Sequence, residues 1–263
     1  MDYPRYAKEN SLDVQVEGRV ATVTIDRPEV KNAVDYRVHR GLEHLLLDLG
    51  HDREVGAIVL TGAGDSFCAG GDLKNFFPPD PTVLETTRNR NLNWALAQCE
   101  APIVAAVNGH ALGLGASIAL SCDIVFMADS AKIGDTHVKV GLTAGDGGQV
   151  IWPLLIGLHK AKEYLMTGKL LSGEEAERIG LVNYCVPRAE LLPRATAFAK
   201  ELADGAQVAI RFTKMAMNKL VYQNLNLMLD FGLVSEQVCS GTEDVKEARN
   251  AFFEKRKPRF QGR

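Results

Sequence analysis

Long apolar runs are missing from this 263-residue chain. None approaches the ~20 residues a helix needs to cross a bilayer, so no membrane-spanning helix is expected. An excess of positive charge is missing too. Thirty Lys and Arg against 33 Asp and Glu leave a formal charge of −3, not the basic surface that general nucleic-acid binding requires. Cysteine is sparse and irregular: Cys68, Cys99, Cys122, Cys185 and Cys239 form an odd set without CxxC spacing. That argues against a disulfide frame or a zinc site, and no metal ligand set is expected. The stretch MDYPRYAKENSLD has neither the apolar core of a signal peptide nor the acid-poor, Arg-rich character of a transit peptide. A cytoplasmic protein with reduced thiols is the expectation. No repeat or low-complexity tract interrupts the chain, and its 46% apolar residues supply one large domain, or one domain with a small extension.

What the chain does have is grouped glycine. In IVAAVNGHALGLGASIALSCD (103–123), a short β-branched run, Ile103 to Val107, reads as a buried strand. Asn108-Gly109 breaks it, and Gly113, Gly115 and Ala116 lead into a buried helix around Ser117 to Leu120. A strand feeding a glycine turn into a helix start leaves backbone N–H groups without intrahelical partners, and with the helix dipole they favour negative charge. The same glycines also serve tight packing, and composition alone does not separate the two uses. A second strand, Ala57 to Leu60, runs into another glycine-rich loop, Thr61 to Asp72. Two strands ending in such loops, with helical pattern between, point to βαβ units and a parallel sheet with ligands outside the strand ends.

Before these, Leu12 to Ile25 alternates around Gly18-Arg19 as a hairpin, and Asp35 caps a helix with an apolar face of Val38, Leu42, Leu45, Leu46 and Leu49. After them come a strand at Ile124 to Met127, a glycine-dense turn at Gly141 to Gly148, and a helix over Trp152 to Met166. A capping box at Ser172 to Glu175 opens a short helix that Gly180 ends. Beyond Pro187 the pattern is wholly helical. Its stripes (Val208, Phe212 and Met215; Leu225, Met228, Leu229 and Phe231) suit core or subunit contacts.

Five segments in order then resemble the crotonase family, the enoyl-CoA hydratase/isomerase group: FCAGGDLK (67–74), NGHALGLGAS (108–117), GLTAGDGG (141–148), TGKLLSGEEAERIGLVN (167–183) and EDVKEARNAFFEKRKPRF (243–260). The resemblance covers about Val20 to Phe260. It implies an α/β fold with a crotonase-type β/α spiral core (1–195) and an all-helical C-terminal oligomerisation region (196–263), assembling as a homotrimer or a hexamer of paired trimers. It implies an acyl-CoA thioester substrate, with CoA as part of the substrate and no separate cofactor. The thioester oxygen would lie between the N–H groups of Gly71 and Leu114, an oxyanion hole for an enolate. CoA contacts would come from Val30, Lys31, Gly71, Asp72, Leu73, Lys74, Phe252 and Lys255. Lys255, Arg256, Lys257 and Arg259 form a basic cluster that suits phosphates, or a solvated charge run.

The chain departs from the family where typical hydratases carry two glutamates, one acting as base and the other as donor. Those positions hold Ser117 and His137. His137 titrates near neutral pH, and Asp146 lies nine residues on, across the glycine turn, within reach of orienting an imidazole. The expected catalytic set is therefore His137, Asp146 and Ser117. Carbon–carbon bond-cleaving hydrolases of the same superfamily resemble this His-then-Asp spacing, but they carry a further His where this chain has Leu114. Hydratase/isomerase chemistry on an unsaturated acyl-CoA leads. Retro-Claisen or decarboxylative cleavage of a β-oxo acyl-CoA and a non-catalytic acyl-CoA binder are the alternatives. His110 is expected to be structural, Cys68 a small apolar residue, and Asp72 a cap for the helix that follows it.

Overall fold

The computed structural model describes residues 2–72 and 90–263. The expected CoA contacts Leu73 and Lys74 lie outside them. After a short helix, α1 (Tyr3–Glu9), β1 (Leu12–Glu17) and β2 (Val20–Ile25) form the expected hairpin, with Val14 opposite Val23 and Gly18 in the turn at φ +58°. Asp35 caps α2 (Tyr36–His51), its Oδ1 accepting from the Val38 N–H at 2.9 Å. All five residues of the expected apolar face of α2 are fully buried. Each removes a side chain from water at a gain of about 1.5–3 kcal/mol.

Two sheets follow from one repeating unit. β3 (Ala57–Gly62), β5 (Ile103–Val107) and β7 (Ile124–Ala128) are each followed by a short strand: β4 (Ser66–Cys68), β6 (His110–Leu112) and β8 (Lys132–Gly134). The long strands join β1, β2 and β10 (Tyr184–Val186) in a six-stranded sheet of order β1-β2-β3-β5-β7-β10, parallel from β2 onward. The short ones form a second sheet, β4-β6-β8-β9, closed by the antiparallel β9 (Leu171–Ser172). Three successive turns of chain thus stack as a spiral, each giving one strand to each sheet. The glycine loops after β3 and β5 were expected to be irregular; three-residue strands run through both. The buried helix α4 begins at Leu114 (Leu114–Leu120), three residues before the apolar pattern suggested. Helix α3 (Arg90–Gln98) lies against α2.

Helix α5 (Gly148–Thr167) starts earlier than expected and is interrupted at Gly157, whose φ of +75° is not helical. Helix α6 (Gly173–Arg178) opens on the expected cap, Ser172 Oγ accepting from Glu175 N–H at 3.2 Å. From Arg188 the chain is helical: α7 (Arg188–Asp204), α8 (Gln207–Asn224), a π-helical turn (Leu225–Leu229), α9 (Asp230–Ser240) and α10 (Glu243–Phe253). Residue 195 falls inside α7, which packs on β3, β5 and β7. An ion pair with a buried lysine and an exposed aspartate fastens α8 to the first sheet. Lys214 Nζ reaches Asp123 Oδ2 at 2.7 Å and the Ala101 carbonyl at 2.9 Å, and the same Asp123 oxygen accepts from the Ile103 N–H at the start of β5. Leu225 and Leu229 are buried, but Val208, Phe212 and Phe231 are each more than 70% exposed on the single chain. Among the described residues no helix is long and apolar enough to cross a membrane.

Candidate active site

The loop after β4 is stitched to the chain before α2. Ala69 N–H donates to the Lys31 carbonyl at 3.0 Å, Val34 N–H to Gly70 at 2.8 Å, and Asp72 N–H to Val34 at 2.8 Å. Asn32, fully buried in a left-handed conformation, locks the corner by donating to the carbonyls of Ala63 and Ser66. The residues expected to line CoA on this side, Val30, Lys31, Gly71 and Asp72, therefore sit on adjoining segments. Asp72 was expected to cap a following helix. That helix lies outside the described residues, and the carboxylate meets Arg27, which contacts Asp72 at 3.1 Å and Asp35 at 3.6 Å.

The start of α4 is pressed against this loop. A Cβ on Gly115 would fall 2.4 Å from the Cys68 carbonyl oxygen, and one on Gly70 would fall 3.0 Å from the Leu112 oxygen and 3.9 Å from the Leu114 nitrogen. Gly113 precedes the helix at φ +52°, ψ −123°, a conformation that a side chain would strain. Leu114 is the first helical residue, so its N–H has no partner within the helix. Neither the Gly71 nor the Leu114 N–H donates to an acceptor among the described residues. Cys68 is fully buried beneath them, and burial pushes its thiol up to about 12, which leaves it inert.

On the other side of Gly113 stands the histidine. A Cβ on Gly113 would lie 3.4 Å from His137 Cε1. His137 opens a 3₁₀ turn (His137–Val140) and is held by two carboxylates, Nδ1 to Asp135 Oδ1 at 2.7 Å and Nε2 to Asp146 Oδ2 at 3.1 Å. Ser117 Oγ, one turn into α4, donates to the other Asp146 oxygen at 2.9 Å. All three expected catalytic residues are thus brought into contact, with Asp135 as a fourth member. Burial pulls the imidazole pKa down, but Asp146 and then Asp135 more than offset it, so His137 is raised well above its ordinary 6.5. Burial acts to raise Asp146, and the facing imidazolium and the Ser117 hydroxyl outweigh it, leaving the carboxyl below its ordinary value. His137 is therefore an imidazolium with both nitrogens engaged, not a free base oriented by one carboxylate. The facing atoms of Asp135, His137 and Asp146 lie within 4.8 Å. Because both ring nitrogens already carry hydrogen-bond partners, the cluster is a proton-holding chain, and a metal would have to displace those protons. His137 and Asp146 keep 11% and 10% of their side-chain surface open, so the chain is reachable.

Three participants were not anticipated. Asp135 lies two residues before His137, and a loop aspartate at that spacing carries no periodic signal. His39 is buried on α2, and its charge acts on Asp146. Glu236 comes from α9, ninety residues beyond Asp146, its Oε2 2.8 Å from where a Gly145 Cβ would stand, and nothing local marks it. The remaining expected contacts, Phe252 and Lys255, lie at the exposed end of α10. That helix packs on the 3₁₀ turn that His137 begins, with Val245 N 3.1 Å from where a Gly141 Cβ would stand. His110 is exposed and accepts from Lys132 N–H at 3.3 Å, a structural tie between β6 and β8.

The comparisons with known proteins agree over nearly the whole chain. The family described as Enoyl-CoA hydratase/isomerase matches residues 15–263. The short-chain-enoyl-CoA hydratase of Clostridium acetobutylicum is 36% identical over 253 residues, covering 94% of this chain and 96% of that one. The crystal structure of an enoyl-CoA hydratase/isomerase from Pseudoalteromonas atlantica superposes with a TM-score of 0.87 at 31% identity, covering 95% of this chain and 100% of that one. One from Mycobacterium paratuberculosis gives 0.86 at 36% identity, covering 92% and 98%. With its two-sheet spiral and helical tail, this chain belongs to the enoyl-CoA hydratase/isomerase family, the crotonases, and is an acyl-CoA enzyme of that family.

Proposed function

We propose that this protein adds water across the 2,3-double bond of an enoyl-CoA thioester. The thioester oxygen is received by the N–H groups of Gly71 and Leu114. Both donors are preorganised on segments that touch, and Leu114 adds the positive end of α4. As hydroxide adds to the β-carbon, negative charge grows on that oxygen, and each such donor is worth on the order of 3–4 kcal/mol to the transition state. The observation that carries the reading is the contact of His137 with Asp146 beside Gly113, one residue from the proposed donor Leu114. Asp146, anionic and held by His137 and Ser117, takes the proton from the attacking water. His137 steadies the carboxylate, and Asp135 keeps the ring charged and oriented. CoA follows Val30, Lys31, Gly71 and Asp72, with Phe252 and Lys255 from the tail. The chemistry needs no cofactor beyond the CoA that the substrate carries.

The exposed apolar faces of α8 and α9 support a homo-oligomer, a trimer or a dimer of trimers, and the buried free thiols of Cys68, Cys99 and Cys122 suit a cytoplasmic setting. The test is loss of the 2-enoyl-CoA ultraviolet absorbance. Asp146→Asn and His137→Ala are expected to lower kcat about a hundredfold or more. Untouched crotonyl-CoA together with two carboxyl-bearing fragments from a β-oxo substrate would replace hydration with retro-Claisen cleavage. Calorimetric CoA-thioester affinity with no turnover would make the chain a binder.

A further inference from the structure

The family's two-carboxylate logic asks for a base and a donor, and the residues so far supply only the base. The turn that carries Asp146 shows where the second carboxyl stands. Gly145, immediately before Asp146, is overlaid by α9: a Cβ there would fall 2.4 Å from the Gly232 carbonyl oxygen and 2.8 Å from Glu236 Oε2. Glycine at 145 is what lets the Glu236 carboxyl lie over this turn. Glu236 is partly buried and has no hydrogen-bond partner among the described residues. The charges bearing on it come from the His137 loop: Asp146 and Asp135, which favour its neutral form, and His137, which opposes them. We infer that Glu236, reaching over Gly145 from α9, is the proton donor of this site and the acid that complements the Asp146 carboxylate.

The chemistry of the two carboxyls fits the division of labour. Burial, and then the Asp146 charge, raise Glu236 from 4.5 to about 8, while Asp146 is lowered. Two carboxyls whose surroundings drive them apart mark the acid and the base. The inference rests on the hydration reading above. In the forward step the water O–H breaks and its proton goes to Asp146 as the C–O bond forms at the β-carbon. The double-bond electrons pass through the enolate, and the α-carbon takes the proton of the Glu236 carboxyl. Water has been added, and a proton returning from Asp146 to Glu236 restores the site.

The test compares wild type with Glu236→Gln, which keeps shape and loses the acid, on the full-length protein. Hydration of crotonyl-CoA is expected to fall about a hundredfold in kcat with KM little changed. The alkaline limb of the wild-type pH profile, near 8, should vanish in the variant. A wild-type limb that persists unchanged in Glu236→Gln, or an equal kcat, overturns the assignment and leaves the hydration reading standing. If the wild type hydrates no enoyl-CoA, the hydration reading fails, and exchange of α-hydrogens of butyryl-CoA in D₂O decides the role of Glu236. Exchange lost in the variant supports it, and exchange retained overturns it. Should the variant not fold, infrared difference spectra of the wild type decide: a neutral-carboxyl band that disappears as pH passes about 8 supports the assignment, and its absence at pH 6 overturns it.

Discussion

A histidine clasped between two carboxylates is a proton store, and its behaviour with pH follows from which partner is removed. His137 gains its proton affinity from Asp146 and Asp135 against the pull of burial. In Asp135→Asn the Nδ1 side loses its charge, so the imidazole should release its proton at lower pH. ¹⁵N chemical shifts should report an imidazolium at pH 7.5 in wild type and a downward-shifted titration in the variant. Because the folded value lies above 6.5, the stabilisation from this ion pair is complete below 6.5 and is lost as pH rises through the folded value. Glu236 is raised as well, but it is an acid. The unfolded chain releases its proton above about 4.5 while the folded chain holds it to about 8, so folding is progressively penalised between those values. Glu236→Gln should therefore melt higher than wild type at pH 9, and the two should coincide near pH 4. A Tm difference of opposite sign at pH 9 would refute the raised carboxyl.

At the level of elements, position depends on how closely short segments approach. Helix α4 can sit on the loop after β4 because Gly115 offers only hydrogen where a Cβ would meet the Cys68 carbonyl at 2.4 Å. Gly115→Ala is expected to cost about 1–3 kcal/mol, as overpacking does in a tight core. Urea titration would measure that loss, and because Leu114 N–H must move, hydration should fall with it. This scale also shows what the sequence made legible. The α2 face, the Asp35 and Ser172 caps and the β1–β2 hairpin were all readable, because each rests on periodicity or a cap within a few residues. The second sheet was not: β4, β6 and β8 are three residues long and lie among glycines, too short for any period to emerge. Ser117 and His137 were legible only as the positions where the family's glutamates stand, and Asp146 only as spacing across a glycine turn. Asp135 meets His137 at a two-residue spacing that carries no periodic signal, and Glu236 had no marker because tertiary packing recruits it.

Across the whole molecule, apolar surface is distributed unevenly. The faces of α8 and α9 leave Phe212 and Phe231 over 70% exposed, beside Leu220 and Val238. Of the stripes read as core or subunit contacts, the single chain buries Leu225 and Leu229 and leaves Val208, Phe212 and Phe231 exposed. Charges placed there should block association without disturbing the spiral core. Phe212→Glu with Phe231→Glu is expected to elute at the mass of one chain, about 29 kDa, while the wild type elutes as a multiple of it. A wild type already at that mass would remove the case for self-association.

The Lys214–Asp123 clasp has a thermodynamic corollary. The lysine is fixed on a tail helix, and the oxygen it holds also anchors the first residue of β5. Fraying of the tail would pull the buried lysine from both of its acceptors, so the helices and the spiral should lose their order together. Scanning calorimetry of the wild type should therefore record a single endotherm, which in Lys214→Ala splits or gains a low-temperature shoulder.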